Sequence, residues 1–261
     1  MTTTAHKIRS AGFYLARPPF WAHFTHRALN YLRSDLDSSE RKRTATAWAY
    51  NHAQPAGAVL SGLGLIASAD DTLPNLPDQL IDEANDRISK ISCTMGGPGD
   101  IQLIYAITRL TGARHLLETG VAHGWSSLAF LSALQDNGDG HLVSTDRPYP
   151  GDNSASYVGI AVDKAMRKQW TLVREPDRNG LHKAIAKLRG RVDVAHYDSD
   201  KTYRGRQFGY SVIWDALCPG GVFISDDIQD NLAFSDFVGA TGARFGVIET
   251  AGKFVGIAIK T

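Results

Sequence analysis

Two short acidic segments carry a strong chemical signal in this chain. One is Asp198-Ser199-Asp200-Lys201, which follows the strand-like run Val192 to Tyr197. The other is Asp226-Asp227, which follows Gly221-Val222-Phe223-Ile224-Ser225. Each therefore sits at a strand end. Neighbouring parallel strands lie about 5 Å apart, so Asp198, Asp226 and Asp227 are expected to converge. Three unpaired carboxylates in one place repel each other unless a cation lies between them. Hard oxygen ligands of this kind select Mg²⁺, Mn²⁺ or Ca²⁺ over zinc. Helix capping explains one aspartate per strand end, but explains the adjacent pair Asp226-Asp227 less well. A divalent ion here would lower the pKa of a hydroxyl bound to it. Lys201, beside that ion, would be favoured as a neutral amine and could take the proton; Asp198 is a second candidate base. Asp200 fits an orienting role. His196 shares a strand face with Asp198, but a satisfied core histidine is the commoner outcome at such a place.

The second constellation is Leu116-Leu117-Glu118-Thr119-Gly120-Val121-Ala122-His123-Gly124-Trp125-Ser126-Ser127. An apolar run stops at a carboxylate, passes two glycines and enters a helical pattern. Glycines let the backbone approach a ligand closely. A dinucleotide fingerprint would place glycine where Glu118 stands and aim the helix at a pyrophosphate. A carboxylate there repels phosphate and suits a cation. S-adenosylmethionine meets that requirement, with an ammonium, a sulfonium and no phosphate. Asp146, at the end of the next strand, suits the two ribose hydroxyls. The expected cofactor contacts are Glu118, Gly120, Gly124, Ser126 and Asp146.

These residues need a scaffold in which strand ends meet. From Asp100 the pattern alternates. Helices are expected over 101–110, 126–134, 181–188, 204–217 and near 232–238. Strands are expected over 115–118, 141–145, 170–173, 192–197, 221–225, 244–249 and 253–259. Alternation of this kind gives a parallel sheet with helices on both faces. Ala251-Gly252 is a hairpin signal that adds an antiparallel strand. Before Asp100 the chain reads as broken helices. Phe20, Trp21, Phe24, Ala28, Leu29 and Leu32 recur at helical spacing. Ser38-Ser39-Glu40 can cap a helix through Trp48 and Tyr50, and Pro77-Asp78 opens another through Ile91. Gly57 to Gly64 fits a tight helix contact or a loop. The loop Met95-Gly96-Gly97-Pro98-Gly99 divides the chain into an N-terminal helical extension, 1–94, and an α/β domain, 95–261.

The chain has 261 residues, 43% hydrophobic and 21% charged, with a formal net charge of +1. That balance provides no strong field for nucleic acid or a membrane surface. Cys93 and Cys218 form neither a disulfide framework nor a thiolate metal pattern. A polar start without an apolar core is unlike a signal peptide, and no stretch has transmembrane length. A cytoplasmic enzyme is expected.

The pattern Glu-x-Gly-x-x-x-Gly-x-Ser over Glu118–Ser126 resembles the first motif of class I S-adenosylmethionine-dependent methyltransferases. The region from about Met95 to Thr261 resembles their Rossmann-like α/β sheet of seven strands, the last antiparallel. The resemblance implies methyl transfer from the sulfonium to an oxygen by in-line displacement. Asp198-Ser199-Asp200-Lys201 resembles the Asp-x-Asp-Lys segment of the caffeoyl-coenzyme A and catechol type, whose first aspartate binds metal and whose lysine can act as base. Asp226-Asp227 is instead similar to the pair in bacterial sugar O-methyltransferases that tailor macrolides and aminocoumarins; the catechol type usually has Asp-Asn. The sugar enzymes often carry a histidine where Lys201 stands, so Lys201, Asp198 and a histidine all remain candidate bases. The implied enzyme uses Mg²⁺ or Mn²⁺, held by Asp198, Asp226 and Asp227. Its implied acceptor is a small hydroxylated molecule, a saccharide, with a vicinal phenol as the alternative. The polar segment Pro148 to Tyr157, including Tyr149, Gly151, Asp152, Asn153 and Ser154, is expected to line the acceptor. Trp125 and Trp170 could stack on a ring or serve the core. The extension is expected to cap the acceptor, form a homodimer surface, or both. Glu118 argues against a nicotinamide-dependent oxidoreductase, and intact Asp198, Asp226 and Asp227 argue against a non-catalytic relative.

Overall fold

The computed structural model describes residues 12–21, 25, 34–148 and 153–261. Seven strands form one sheet in the order β3-β2-β1-β4-β5-β7-β6. They are β1 His115–Thr119, β2 His141–Thr145, β3 Trp170–Val173, β4 Val192–Tyr197, β5 Leu217–Ser225, β6 Arg244–Thr250 and β7 Lys253–Ile259. Strands β1 to β5 are parallel, and β7 runs antiparallel between β5 and β6. Leu116, Leu117, Val194 and Ala195 are completely buried, as strands covered on both faces require.

Two apolar layers sandwich the sheet. One packs α4 (Ile101–Thr111) and α5 (Trp125–Asn137) through Ile104, Ile107, Leu128 and Leu131. The other packs α6 (Asp177–Lys187), α7 (Tyr203–Ala216) and α8 (Ala233–Thr241) through Leu181, Tyr210, Ile213 and Phe234. The extension contributes α1 (Ser39–His52), α2 (Ala56–Gly62) and α3 (Asp78–Ser89). As expected, Ser38 caps α1, its side chain accepting from the Arg41 N–H. Beyond α1, Ala53 bridges to Val247 and the Gln54 N–H donates to the Val247 carbonyl at 2.9 Å. The free edge of β6 is thereby covered.

Two elements begin earlier than the sequence reading expects. Strand β5 begins at Leu217 rather than Gly221, because Val192 pairs with Leu217 before a register shift. The intervening Pro219-Gly220 lies in the strand, exposed. Helix α6 begins at Asp177, directly after Pro176, rather than at Leu181. Gly57 lies inside α2, where a Cβ would overlap the Ala69 carbonyl, so the tight helix contact holds there. Phe20 lies in a 3₁₀ turn, Pro18–Phe20, whereas Phe24, Ala28, Leu29 and Leu32 fall outside the described residues. Among the described residues no helix is long and apolar enough to cross a membrane.

Candidate active site

The carboxyl ends of β1, β2, β4 and β5 share one edge of the sheet, and the residues singled out by sequence gather there. The turn after β1 has Gly120 at φ +80°, Ala122 at +48° and Gly124 at +90°. At Gly120 the reason for glycine is double. Its backbone is left-handed, and a Cβ would overlap the Asp198 carbonyl at the end of β4. The sequence reading expected a side chain there to strike the cofactor; its first collision is with the neighbouring strand end. A Cβ on Gly124 would stand 2.8 Å from the Gly159 Cα.

Glu118 is wholly buried beneath this turn. Its Oε2 accepts from the Ser127 hydroxyl at 2.6 Å and from the Ser144 hydroxyl at 2.5 Å. Glu118 thus ties the first turn of α5 to β2, while burial pushes its carboxyl pKa up. Its Oε1 is buried with no hydrogen-bond partner among the described residues. An orphaned carboxylate oxygen beneath a bare glycine backbone fits a site for a cationic nucleoside. Ser126 lies beside Ser127 in the first turn of α5. Asp146, directly after β2, is almost fully buried, with the Arg174 Nη1 at 3.6 Å from its Oδ2. Trp125 and Trp170 serve the core. Trp125 is buried; the Trp170 Nε1 donates to the Ser144 hydroxyl at 2.8 Å, and its ring fills the space where a Gly159 side chain would lie.

The acidic centre lies next to this turn. Lys201 Nζ is ion-paired with Asp198 Oδ1 and, at 2.9 Å, with Asp227 Oδ2. Lys253 Nζ reaches Asp227 Oδ1 at 3.1 Å, and His196 Nε2 stands 3.3 Å from Asp226 Oδ1. The sequence reading expected unpaired carboxylates; here two ammonium groups and an imidazole face them. Among the described residues no three His, Cys, Asp or Glu side chains are grouped so as to hold a metal ion. The donor chemistry nevertheless suits a hard dication, since all three acidic residues offer oxygen. Asp227 has a left-handed backbone, φ +52°, uncommon for a residue with a Cβ.

The electrostatics follow from these contacts. Burial raises the Asp227 pKa, but Lys201 and Lys253 outweigh it and hold it at about 2. Burial also raises Asp226, yet His196 brings it below the ordinary range. For Asp198 burial prevails over Lys201, and its pKa is raised. Burial lowers the Lys201 pKa, but Asp198 and Asp227 more than compensate, so the ammonium form is favoured.

Sequence reasoning missed three participants. Lys253 opens β7, and nothing local marks it until β7 is known to neighbour β5. Asn231 is buried and donates to the Lys201 carbonyl at 2.8 Å. Asp177 lies under the acidic loop, accepting from the Ser199 hydroxyl at 2.5 Å and the Tyr197 hydroxyl at 3.2 Å. Tyr149, Gly151 and Asp152 fall outside the described residues.

Asp177 provides a stability test. Burial pushes its carboxyl pKa up to about 6. A raised carboxyl pKa means that the folded protein binds a proton which the unfolded chain has already released above about pH 4. The associated stability is complete below that point and is lost as pH rises through about 6. Asp177→Asn cannot ionise. Its stability relative to wild type should therefore rise between pH 4 and pH 7.5, by up to about 3 kcal/mol. Urea unfolding at both pH values checks this, and a constant difference contradicts it.

Comparison with known proteins agrees with this geometry. Residues 117–228 match the family model described as a methyltransferase domain. That span begins in β1 and ends just after Asp227. No curated protein matches the chain. An O-methyltransferase from Bacillus cereus, solved in complex with SAH, aligns with a TM-score of 0.58 at 16% identity, covering 84% of this chain and all of that one (100%). The O-methyltransferase TomG from Streptomyces achromogenes, involved in tomaymycin synthesis and solved with SAM, aligns at 0.54 and 18% identity, over 72% of this chain and 92% of that one. A putative O-methyltransferase from Klebsiella pneumoniae gives 0.53 and 18%, with the same coverage of 72% and 92%. At such identities the likeness is one of fold. Residues 117–228 thus match a methyltransferase domain, and the seven-stranded sheet that carries them has the fold seen in these methyltransferases.

Proposed function

We propose that this protein is a divalent-metal-dependent O-methyltransferase. It moves a methyl group from S-adenosylmethionine to a hydroxyl of a small polyhydroxylated acceptor, a sugar or glycan unit. The observation that carries this reading is the contact of the Gly120 backbone with the Asp198 carbonyl. It makes the cofactor turn and the acidic centre adjoining halves of one site. O-methyltransferases among the structural neighbours agree with transfer to oxygen.

The chain's own residues divide the work. Gly120 and Gly124 present bare backbone to the donor, and Asp146 is set to hold the ribose. Glu118 fixes the turn from below through Ser127 and Ser144. Across the edge, Asp198 and Lys201 are the groups placed to take the acceptor proton. Lys201 does so only when its ammonium has lost the carboxylates that now stabilise it. Asp198, Asp226 and Asp227 are the residues that would hold Mg²⁺ or Mn²⁺, which when bound makes a hydroxyl more acidic. Lys201 and Lys253, both partly exposed, give the mouth a polar lining that suits a saccharide better than a flat phenol. In this reading residues 1–94 form the extension over the site and 95–261 the transferase domain.

The test is transfer of a labelled methyl group to a panel of hexoses, amino sugars, glycosides and catechol. It should be run on metal-stripped enzyme with Mg²⁺ or with EDTA. Methylation of a saccharide hydroxyl that needs Mg²⁺ is expected. Methylation of catechol alone favours the phenol reading, and full turnover in EDTA removes the metal.

A further inference from the structure

The extension makes specific contacts with the loops of the acidic centre. A 3₁₀ turn, Ser34–Asp37, precedes α1 and ends beside the start of α7. Asp37 Oδ1 accepts the backbone N–H of Tyr203 at 2.8 Å and the Nδ2 of Asn231 at 3.1 Å. The Tyr203 amide belongs to the first residue of α7, one of the donors that a helix cannot satisfy internally. Thr202 caps α7 from within by accepting from Gly205. Asp37 adds a second cap, from a part of the chain remote in sequence.

The same Asn231 Nδ2 donates to the Lys201 carbonyl, and its Oδ1 accepts from the Ala233 N–H at 3.1 Å. Asp37 and Asn231 therefore grip the 201–203 segment at both ends, at the Lys201 carbonyl and at the Tyr203 amide. Helix α1 holds the other acidic loop in a parallel manner. Lys42 Nζ pairs with Asp230 at 2.7 Å, and the Thr46 hydroxyl contacts the Gln229 carbonyl at 3.3 Å. Both loops that bear the acidic centre are thus anchored from the extension.

We infer that Asp37 is a positioning residue of the transferase site, setting the 201–203 segment through Tyr203 and Asn231 so that Lys201 faces Asp198 and Asp227. This rests on the proposed role of Asp198 and Lys201. Asp37 itself is exposed, so its replacement leaves the core untouched.

The experiment reads Lys201 directly and needs no acceptor. The full chain is labelled with trace acetic anhydride, and modification at Lys201 is measured by mass spectrometry against the exposed Lys90. In Asp37→Ala, Lys201 should label several-fold faster while Lys90 stays unchanged. Asp37→Asn keeps an oxygen that can accept both N–H groups and should restore the wild-type ratio. An unchanged Lys201 rate in Asp37→Ala overturns the inference. Equal acceleration at Lys201 and Lys90 does so too, since it marks general loosening. Failure of the functional reading looks different. Lys201→Ala with full methyl transfer would remove the proposed chemistry and leave the labelling result standing.

Discussion

Alanine at Asp198 should lower methyl transfer by about 10²–10⁴-fold, the range associated with loss of general acid–base assistance. S-adenosylhomocysteine affinity should stay within a few-fold of wild type. The separation follows from the sheet. Cofactor contacts are assigned to the ends of β1 and β2, while the Asp198 side chain points to the Lys201–Asp227 side of the edge. Asp226→Ala and Asp227→Ala should have the same signature. Each leaves a cation short of a partner, His196 in the first case and both lysines in the second. Turnover measured beside calorimetric binding separates the two sites. Equal loss of binding and turnover would mean that the acidic centre maintains the cofactor site rather than the transfer step.

Valine at Gly120 should abolish S-adenosylhomocysteine binding, with a loss of at least about 100-fold. Two costs combine. A β-branched residue at φ +80° is strained by about 1–3 kcal/mol. In addition, its Cβ would overlap the Asp198 carbonyl, forcing the ends of β1 and β4 apart. Gly242→Ala serves as a control for backbone strain outside the cofactor turn, because Gly242 has φ +63° with nothing within 4 Å of a Cβ. It carries the backbone strain without the overlap and should bind normally. Binding by Gly120→Val within a few-fold of wild type would show that the strand ends can move apart without harm to the cofactor site.

The elements that place the site were legible because their signals are local. Strands β2, β3 and β4 fall at the residues where apolar runs begin and end. Glycines at 120 and 124 announced a turn that does adopt positive φ. What stayed hidden depends on contacts between distant segments. Glu118 reads as a ligand for a cation, and its own segment gives no sign that Ser127 and Ser144 also tie it to α5 and β2. Asp227 reads as unpaired, because Lys253 reaches it only through the insertion of β7 beside β5. Asp37 and Asn231 have no motif at all, being a turn residue and a loop residue until the extension folds over both loops. The start of β5 stayed hidden too, because Leu217 pairs with Val192 across a register shift that no local signal marks.

The coverage of β6 also bears on how the protein keeps apart from its own copies. Within the sheet β6 has one neighbour, β7, which follows it in sequence. On its other side lie Ala53 and Gln54, which precede it by most of the domain. With β7 on one side and the 53–54 segment on the other, β6 has no open edge along Val247. The Gln54 amide occupies the Val247 carbonyl that another copy would otherwise use. A chain shortened through α1 and this segment should therefore expose that edge and be more prone to self-association, which light scattering would register.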